Sequence, residues 1–96
     1  MQFEWDDKKA QANIEKHGIS FEHAQTIFSG PVWSWIDKRF AYGEIRLITI
    51  GLMEEVAVIV VAHTDRDGIT RIISARPANR KERRRYHEEI HKALDR

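Results

Sequence analysis

The sequence predicts an α+β domain in which helices pack on a small antiparallel β-sheet, in the order β-α-α-β-β-β-β-α. Residues 56–64 read VAVIVVAHT and are almost all β-branched and apolar up to Ala62, as expected for a central strand buried on both faces. Strand-like stretches joined by turn residues lie on both sides of it. Segments that carry helix-capping residues lie near each end of the chain, so we expect helices to flank the sheet.

The first third of the chain predicts one short strand and two helices. The strand is QFEW at residues 2–5. Asp6 is a typical N-cap for the helix DKKAQANIEKH that follows, and Gly18 can end it in a left-handed conformation. Ser20 caps a second helix, which Gly30 and Pro31 stop.

The rest of the chain predicts hairpins and a final helix. Further strands are predicted at residues 32–37, 44–53 and 69–75, with turns at KRFAYG (38–43) and DRDG (65–68). Asn79 and Glu82 have the spacing of a capping box. The helix that they begin has an apolar stripe of Tyr86, Ile90 and Leu94.

Size and composition narrow the class of protein. The 96 residues suit one domain over residues 1–96. The sequence contains no cysteine, which excludes disulfides and thiolate-bound metals. The N-terminus lacks an apolar signal region and no stretch is long enough to span a membrane. We therefore expect a cytoplasmic protein that does not enter a membrane.

Charge is distributed unevenly although the formal net charge is only +1. Residues 65–96 carry ten basic and six acidic side chains, and residues 66–85 carry eight basic and two acidic ones. Such a basic block indicates an anionic partner, either nucleic acid or an acidic protein. The alternative is a solvated helix face balanced by nearby glutamates.

One pattern suggests a metal site and is better explained otherwise. Residues 87–91 read HEEIH, which matches the metalloprotease pattern H-E-x-x-H on a predicted helix. Only five residues follow His91, so a third ligand downstream and a substrate cleft are both missing. We therefore predict no metal site.

The chain closely resembles the BrnT family of ribonuclease toxins from type II toxin–antitoxin systems. The resemblance runs from Phe3 to about Tyr86. The matching residues are FEWD at 3–6, Lys9, Asn13, KHGISF at 16–21, Ala24, Phe28, Asp37, Glu44, Arg46, Ile50, Gly51, RIISAR at 71–76, Arg80, Glu82, Arg83 and Tyr86.

The resemblance implies a RelE-like fold and a metal-independent endoribonuclease that cleaves RNA, inhibits translation and needs no cofactor. It also implies a BrnA-type antitoxin that silences the toxin, binds operator DNA itself and represses the operon as a complex. The alternative is an RNA-binding or antitoxin-binding module without catalysis. A ribonuclease needs cationic and proton-transfer groups that converge on one site. A module that only binds RNA or the antitoxin does not need such convergence.

Arg46, His63 and Arg76 are the predicted catalytic residues. Metal-free cleavage needs stabilisation of phosphorane charge, which a planar guanidinium supplies, and proton transfer, for which histidine is suited near neutral pH. Each residue has a structural alternative. His63 can simply end a strand, Arg46 can pair with Glu44 or Asp37, and Arg76 can form a salt bridge with Glu82.

Five further residues are predicted to bind RNA through charge or stacking: Lys9, Arg66, Arg80, Arg83 and Tyr86. Tyr86 also heads the apolar stripe of the last helix, which favours core packing for its ring. We expect Arg84 and Arg85 to attract RNA from a solvated face without contacting it.

Overall fold

The computed structural model describes residues 1–39 and 43–95 and shows an α+β fold with the predicted order of elements. The strands are β1 (Gln2–Glu4), β2 (Trp33–Ile36), β3 (Arg46–Met53), β4 (Ala57–Arg66) and β5 (Ile69–Pro77). The helices are α1 (Asp7–His17), α2 (Phe21–Ala24) and α3 (Arg80–Leu94), and a 3-10 helix (Gln25–Ser29) continues α2. Residues 40–42 of the predicted turn lie outside the described residues.

The sheet has the strand order β1-β5-β4-β3-β2. Hairpin connections make β2, β3, β4 and β5 antiparallel, as predicted, and β4 is the central strand. The first strand departs from the expected antiparallel arrangement, because β1 lies parallel to β5. Helices rather than a hairpin follow β1, so nothing forces an antiparallel neighbour on it.

The hairpin between β4 and β5 turns at Asp67 and Gly68, whose φ angles are 55° and 82°. Two successive positive φ angles are typical of a type I′ turn, which matches the twist of the flanking strands. The turn sets the register as far as His63 opposite Ile72, and a bulge between Ala62 and His63 then shifts the pairing by one residue. This shift brings Arg76 opposite Val60.

Asn13 holds α1 against the unpaired edge of β5. Its amide nitrogen donates to the carbonyl oxygens of Ala75 (2.8 Å) and Ile19 (2.9 Å), and its amide oxygen accepts from the Ala75 N–H (3.0 Å). Asn13 thus replaces a neighbouring strand at Ala75, where β1 no longer pairs with β5. The apolar Ile14 beside it stays 42% exposed.

Two apolar clusters lie on opposite faces of the sheet. The first packs α1 and α2 against β4 and β5 and includes Phe21, Ile27, Val61 and Ile72. The second packs α3 against β3 and β4. It contains Ile48, Ile50, Val58, Val60, Ala78 and Tyr86.

The predicted capping box starts α3, with Asn79 Oδ1 accepting from the Glu82 N–H (2.8 Å) and Glu82 Oε1 accepting from the Asn79 N–H (2.9 Å). Tyr86 and Ile90 pack on the second cluster, but Leu94 is exposed. Across residues 1–39 and 43–95, none of the helices has the length and hydropathy to cross a membrane. Through Tyr86 and Ile90, α3 covers part of one sheet face.

Candidate nucleic-acid interface

A groove of about 450 Å³ opens on the sheet face that α3 only partly covers. We call it the basic groove, and its residues come from β2 and the residues after it, from β3, from β5 and from α3. They are Trp35, Ile36, Asp37, Lys38, Arg39, Ile48, Arg76 and Glu82. Three of the eight are cationic and two are acidic, and the groove holds Arg76, so we take it as the candidate phosphate-binding surface.

Arg76 reaches the groove from β5 and is held by Glu82. Its Nη1 and Nη2 donate to the two carboxylate oxygens of Glu82 at 2.8 Å each, and Nη1 also donates to the Pro77 carbonyl at 3.3 Å. The salt bridge that rivals a catalytic role is therefore present. It uses one edge of the guanidinium and leaves the Nε–H and one Nη2–H outside these bonds.

The pair is charged over the whole neutral range. The hydrogen bonds from Arg76 lower the pKa of Glu82, and the Asn79 N–H adds to this effect. Glu82 in turn raises the pKa of Arg76, while the positive charge of Arg39 opposes it. Glu82 thus orients Arg76 without removing its positive charge.

Arg39 and Trp35 are groove residues that the sequence analysis did not single out for RNA. Arg39 donates from Nε and Nη2 to the two oxygens of the buried Asp37 carboxylate, at 2.9 Å each. Trp35 is 38% exposed, and its ring lies 4.6 Å from the Trp33 ring, centroid to centroid. In the sequence, a predicted strand with the pattern Trp-x-Trp, followed by Lys38 and Arg39, could have identified this side of the groove.

Arg46 lies on the same face of the sheet as Arg76. It stands opposite Thr64 on β4 and two residues before Ile48, so it shares a sheet face with Ile48. Ile48 belongs to the second cluster together with Val60, and Val60 stands opposite Arg76. Glu44, one of its predicted partners, accepts hydrogen bonds from Arg66 at 3.1 and 3.2 Å. Arg66 lowers the pKa of Glu44 most strongly, and Arg46 and Arg71 contribute.

His63 does not join the two arginines, contrary to the expected convergence. Its Nε2 lies 2.7 Å from Thr49 Oγ1, which lies 2.6 Å from Ser34 Oγ, and the Phe28 ring packs edge-on against it at 5.1 Å. Phe28 belongs to the first cluster, so His63 points to the opposite face of the sheet. Burial lowers its pKa, and the nearby Asp65 opposes this only in part.

Tyr86 occupies the core rather than the groove. It is 1% exposed, its hydroxyl donates to the Pro31 carbonyl at 2.7 Å, and burial raises its pKa. A base cannot stack on a ring that is covered on both sides. The geometry therefore favours the core-packing alternative and contradicts base stacking by this residue.

The other predicted RNA-binding residues are spread over three places. Arg80 is exposed in the first turn of α3, and Arg83 donates to the Ala78 carbonyl at 2.8 Å. Arg66 extends from the far end of β4 in its pair with Glu44. Lys9 lines a separate cavity of about 300 Å³ with Lys16 and Ser74, between α1 and β5. These four residues do not converge on one point.

The HEEIH segment has ordinary surface contacts. His91 lies 3.1 Å from Asp95, and the ring of His87 packs against that of Tyr86 at 5.3 Å. Within the part of the chain that the structure describes, no three histidine or acidic side chains are placed to hold a metal ion. The segment is therefore accounted for by contacts within and beside α3.

Known proteins resemble this chain in sequence and fold. The family model described as "Ribonuclease toxin, BrnT, of type II toxin-antitoxin system" matches residues 5–82. The 1.1 Å crystal structure of the Brucella abortus ribonuclease toxin BrnT matches with a TM-score of 0.63 and 29% identity, over 83% of this chain and 99% of that one. Comparison with curated proteins gave no match. The extent of the family match shows that this chain belongs to the BrnT family of ribonuclease toxins of type II toxin–antitoxin systems.

Proposed function

We propose that this chain is a metal-independent endoribonuclease that inhibits translation by cutting RNA in the basic groove. The 2′-hydroxyl of one nucleotide gives up its proton and attacks the adjacent phosphorus, and the bond to the 5′-oxygen breaks. The 5′-oxygen takes up a proton, so the products are a 2′,3′-cyclic phosphate and a 5′-hydroxyl. The observation that carries the proposal is the oriented Arg76 guanidinium, which Glu82 fixes on one edge at the wall of a cationic groove.

The free edge of Arg76 suits a phosphate. Because Glu82 occupies the Nη1/Nη2 edge, the Nε–H and the remaining Nη2–H form a fork that can bind two phosphate oxygens. The fork is preorganised, so little side-chain entropy is lost when negative charge develops on the phosphorane. We assign Arg76 this stabilising role.

The neighbouring side chains support a single-stranded RNA rather than a free anion. Lys38 adds positive charge along the groove, whereas Arg39 is paired with Asp37 there. The partly exposed Trp35 offers an aromatic surface on which a base can stack. Arg46 lies on the same sheet face and extends the positive potential toward β3. We propose that Arg46 acts through this field on the same RNA.

His63 receives no part in the reaction in this arrangement. Its imidazole is buried on the other face of the sheet and bonded to Thr49, so it cannot reach a phosphate bound by Arg76. We propose that Lys9, Arg66, Arg80 and Arg83 attract the RNA backbone electrostatically from outside the groove. Tyr86 stabilises the fold by packing α3 against the second cluster.

Membership of a type II system implies an antitoxin partner. We propose that it is of the BrnA type, that it acts in the cytoplasm and that it contacts operator DNA itself. An acidic or amphipathic element of the antitoxin would be drawn to the basic groove and would exclude RNA. Equimolar antitoxin should then suppress cleavage, and unchanged cleavage by the complex would contradict occlusion.

The decisive experiment incubates the purified chain with RNA in EDTA and maps the ends. Cleavage should persist, leave 2′,3′-cyclic phosphates, and fail on RNA with 2′-methoxy groups. A strict need for a divalent cation, or normal cutting of 2′-methoxy RNA, would reject the mechanism. Binding without cleavage under all conditions would favour a non-catalytic module.

A further inference from the structure

The free edge of the sheet at β2 carries exposed apolar side chains. β2 is the last strand in the sheet order, and within residues 1–39 and 43–95 no strand pairs with its outer side. Val32, Trp35 and Ile36 are 37%, 38% and 48% exposed along this edge. Pro31 and Lys38 flank this edge, but the backbone groups between them lie beside exposed apolar side chains and are open to pairing with another strand.

The backbone of β2 presents a short set of hydrogen-bonding groups to that partner. The Asp37 N–H donates to the Arg46 carbonyl at 2.8 Å, which fixes the alternation of the β2–β3 ladder. Trp33 and Trp35 therefore bond toward β3, and Ser34 and Ile36 direct their N–H and C=O groups outward. Two residues with free groups can pair with an added strand.

Opposite charges lie at the two ends of this edge. Lys38 and Arg39 follow β2 at its C-terminal end. At its N-terminal end, Gly30 and Pro31 line a cavity together with Glu54 and Glu55. A strand running antiparallel to β2 must therefore bring a cation to the acidic end and an anion to the basic end.

We propose that the occupant is β2 of a second copy of this chain, paired antiparallel about a two-fold axis at Trp35. The second copy has the required charge order because the axis inverts its strand. Ser34 then bonds with Ile36 of the second copy, and the two Trp35 residues stand directly opposite, where side chains approach closely. Lys38 comes opposite Val32 of the second copy, beside Pro31 and its acidic cavity.

This pairing joins two sheets into one of ten strands and places the two basic grooves side by side at the Trp35 residues. The interface is isologous, so every contact occurs twice. It does not depend on ribonuclease activity. The readout below is molecular mass, which separates its failure from a failure of the proposed function.

The first test measures the mass of the purified chain by sedimentation equilibrium over a range of concentrations. We expect a reversible dimer that Ile36→Lys weakens at least about tenfold, because an edge lysine cannot be paired without loss of its hydration. Ile14→Lys is the matched control, since Ile14 is similarly exposed on α1, beside the other edge of the sheet. A chain that stays monomeric throughout, or equal effects of the two substitutions, would overturn the proposal.

The second test examines the antiparallel charge order with folded variants. Lys38→Glu should weaken the dimer by placing like charges together, and Glu55→Lys in the same chain should restore it. Circular dichroism confirms that each variant is folded. Failure of the double variant to recover would refute this register. A monomeric chain whose Ile36→Lys variant loses antitoxin binding would assign the edge to the antitoxin instead.

Discussion

Arg76 and Glu82 meet through two parallel hydrogen bonds of 2.8 Å, and the same Glu82 carboxylate accepts the Asn79 N–H that begins α3. One side chain thus links the start of a helix to the orientation of the groove arginine. A catalytic arginine and a structural ion pair are therefore not exclusive alternatives here. They predict different consequences when the pair is broken.

Arg76→Ala should lower the single-turnover rate of RNA cleavage by about 10²–10³-fold, as expected when one preorganised charge donor is lost. The free energy of unfolding should fall by no more than about 1 kcal/mol, because the Arg76 side chain is 43% exposed and its pair is screened by solvent. Cleavage and urea unfolding are measured on the same preparation. A large loss of stability with normal cleavage would show a purely structural pair.

Asn13→Ala should reduce the free energy of unfolding by about 2–4 kcal/mol, because it leaves the buried Ala75 and Ile19 backbone groups without their partner. Gln11→Ala is the control, since Gln11 lies on the exposed face of the same helix. Urea unfolding of both variants gives the comparison. Equal stabilities would mean that water replaces the Asn13 amide.

Most of the fold followed from local patterns, whereas the contacts between distant elements did not. Capping residues gave the limits of α1, and the apolar run gave β4 as the central strand. The parallel pairing of β1 and the role of Asn13 depend on residues more than sixty positions apart, and no local pattern encodes that approach.

The candidate site was predictable only in part for the same reason. Arg46 and Arg76 occupy one sheet face because a bulge between Ala62 and His63 shifts the pairing of β4 and β5 by one residue, which strict alternation along the strands would not predict. His63 was wrongly expected beside them, because its place at the end of an apolar run does not reveal which face it occupies. Arg39 was missed because it and Arg76 are far apart in the sequence and line one groove only in the folded chain.

The burial of His63 predicts a stability that falls with acid. Burial lowers its pKa in the folded chain below the value of about 6.5 expected when unfolded. The unfolded chain therefore binds more protons as pH falls below about 6.5, and stability is lost over that range. Urea midpoints between pH 8 and pH 5 should decline in the parent chain.

The decline should be smaller in His63→Gln, which cannot take up a proton at this position. His23→Gln serves as the control, because it makes the same substitution at a histidine that is exposed rather than buried. The lower limit of pH 5 avoids the titration of Glu82, whose pKa is lowered by Arg76. If the urea midpoints of all three proteins decline equally, protonation of His63 is not the source of the decline.

Arg84 and Arg85 differ in their contacts with the rest of the protein, although the sequence predicts the same role for both. Arg85 donates to Glu89 at 3.0 Å, and its guanidinium carbon lies 5.1 Å from the centre of the Trp33 ring, so it is fixed against the protein. Arg84 is exposed on α3. The expected solvated role therefore applies to Arg84, whereas Arg85 also has a packing contact.

Arg84→Glu should weaken RNA association most strongly at low salt, with a defect that shrinks as salt screens the charge. The limiting single-turnover rate at saturating enzyme should stay unchanged, because Arg84 does not line the basic groove. Arg85→Glu should in addition lower the free energy of unfolding, since it places two carboxylates side by side and removes the contact with Trp33. The measurements are RNA affinity and single-turnover cleavage across a salt series, with urea unfolding for each variant. A salt-independent loss of the limiting rate in Arg84→Glu would place this residue in the chemistry and contradict the division of the basic block.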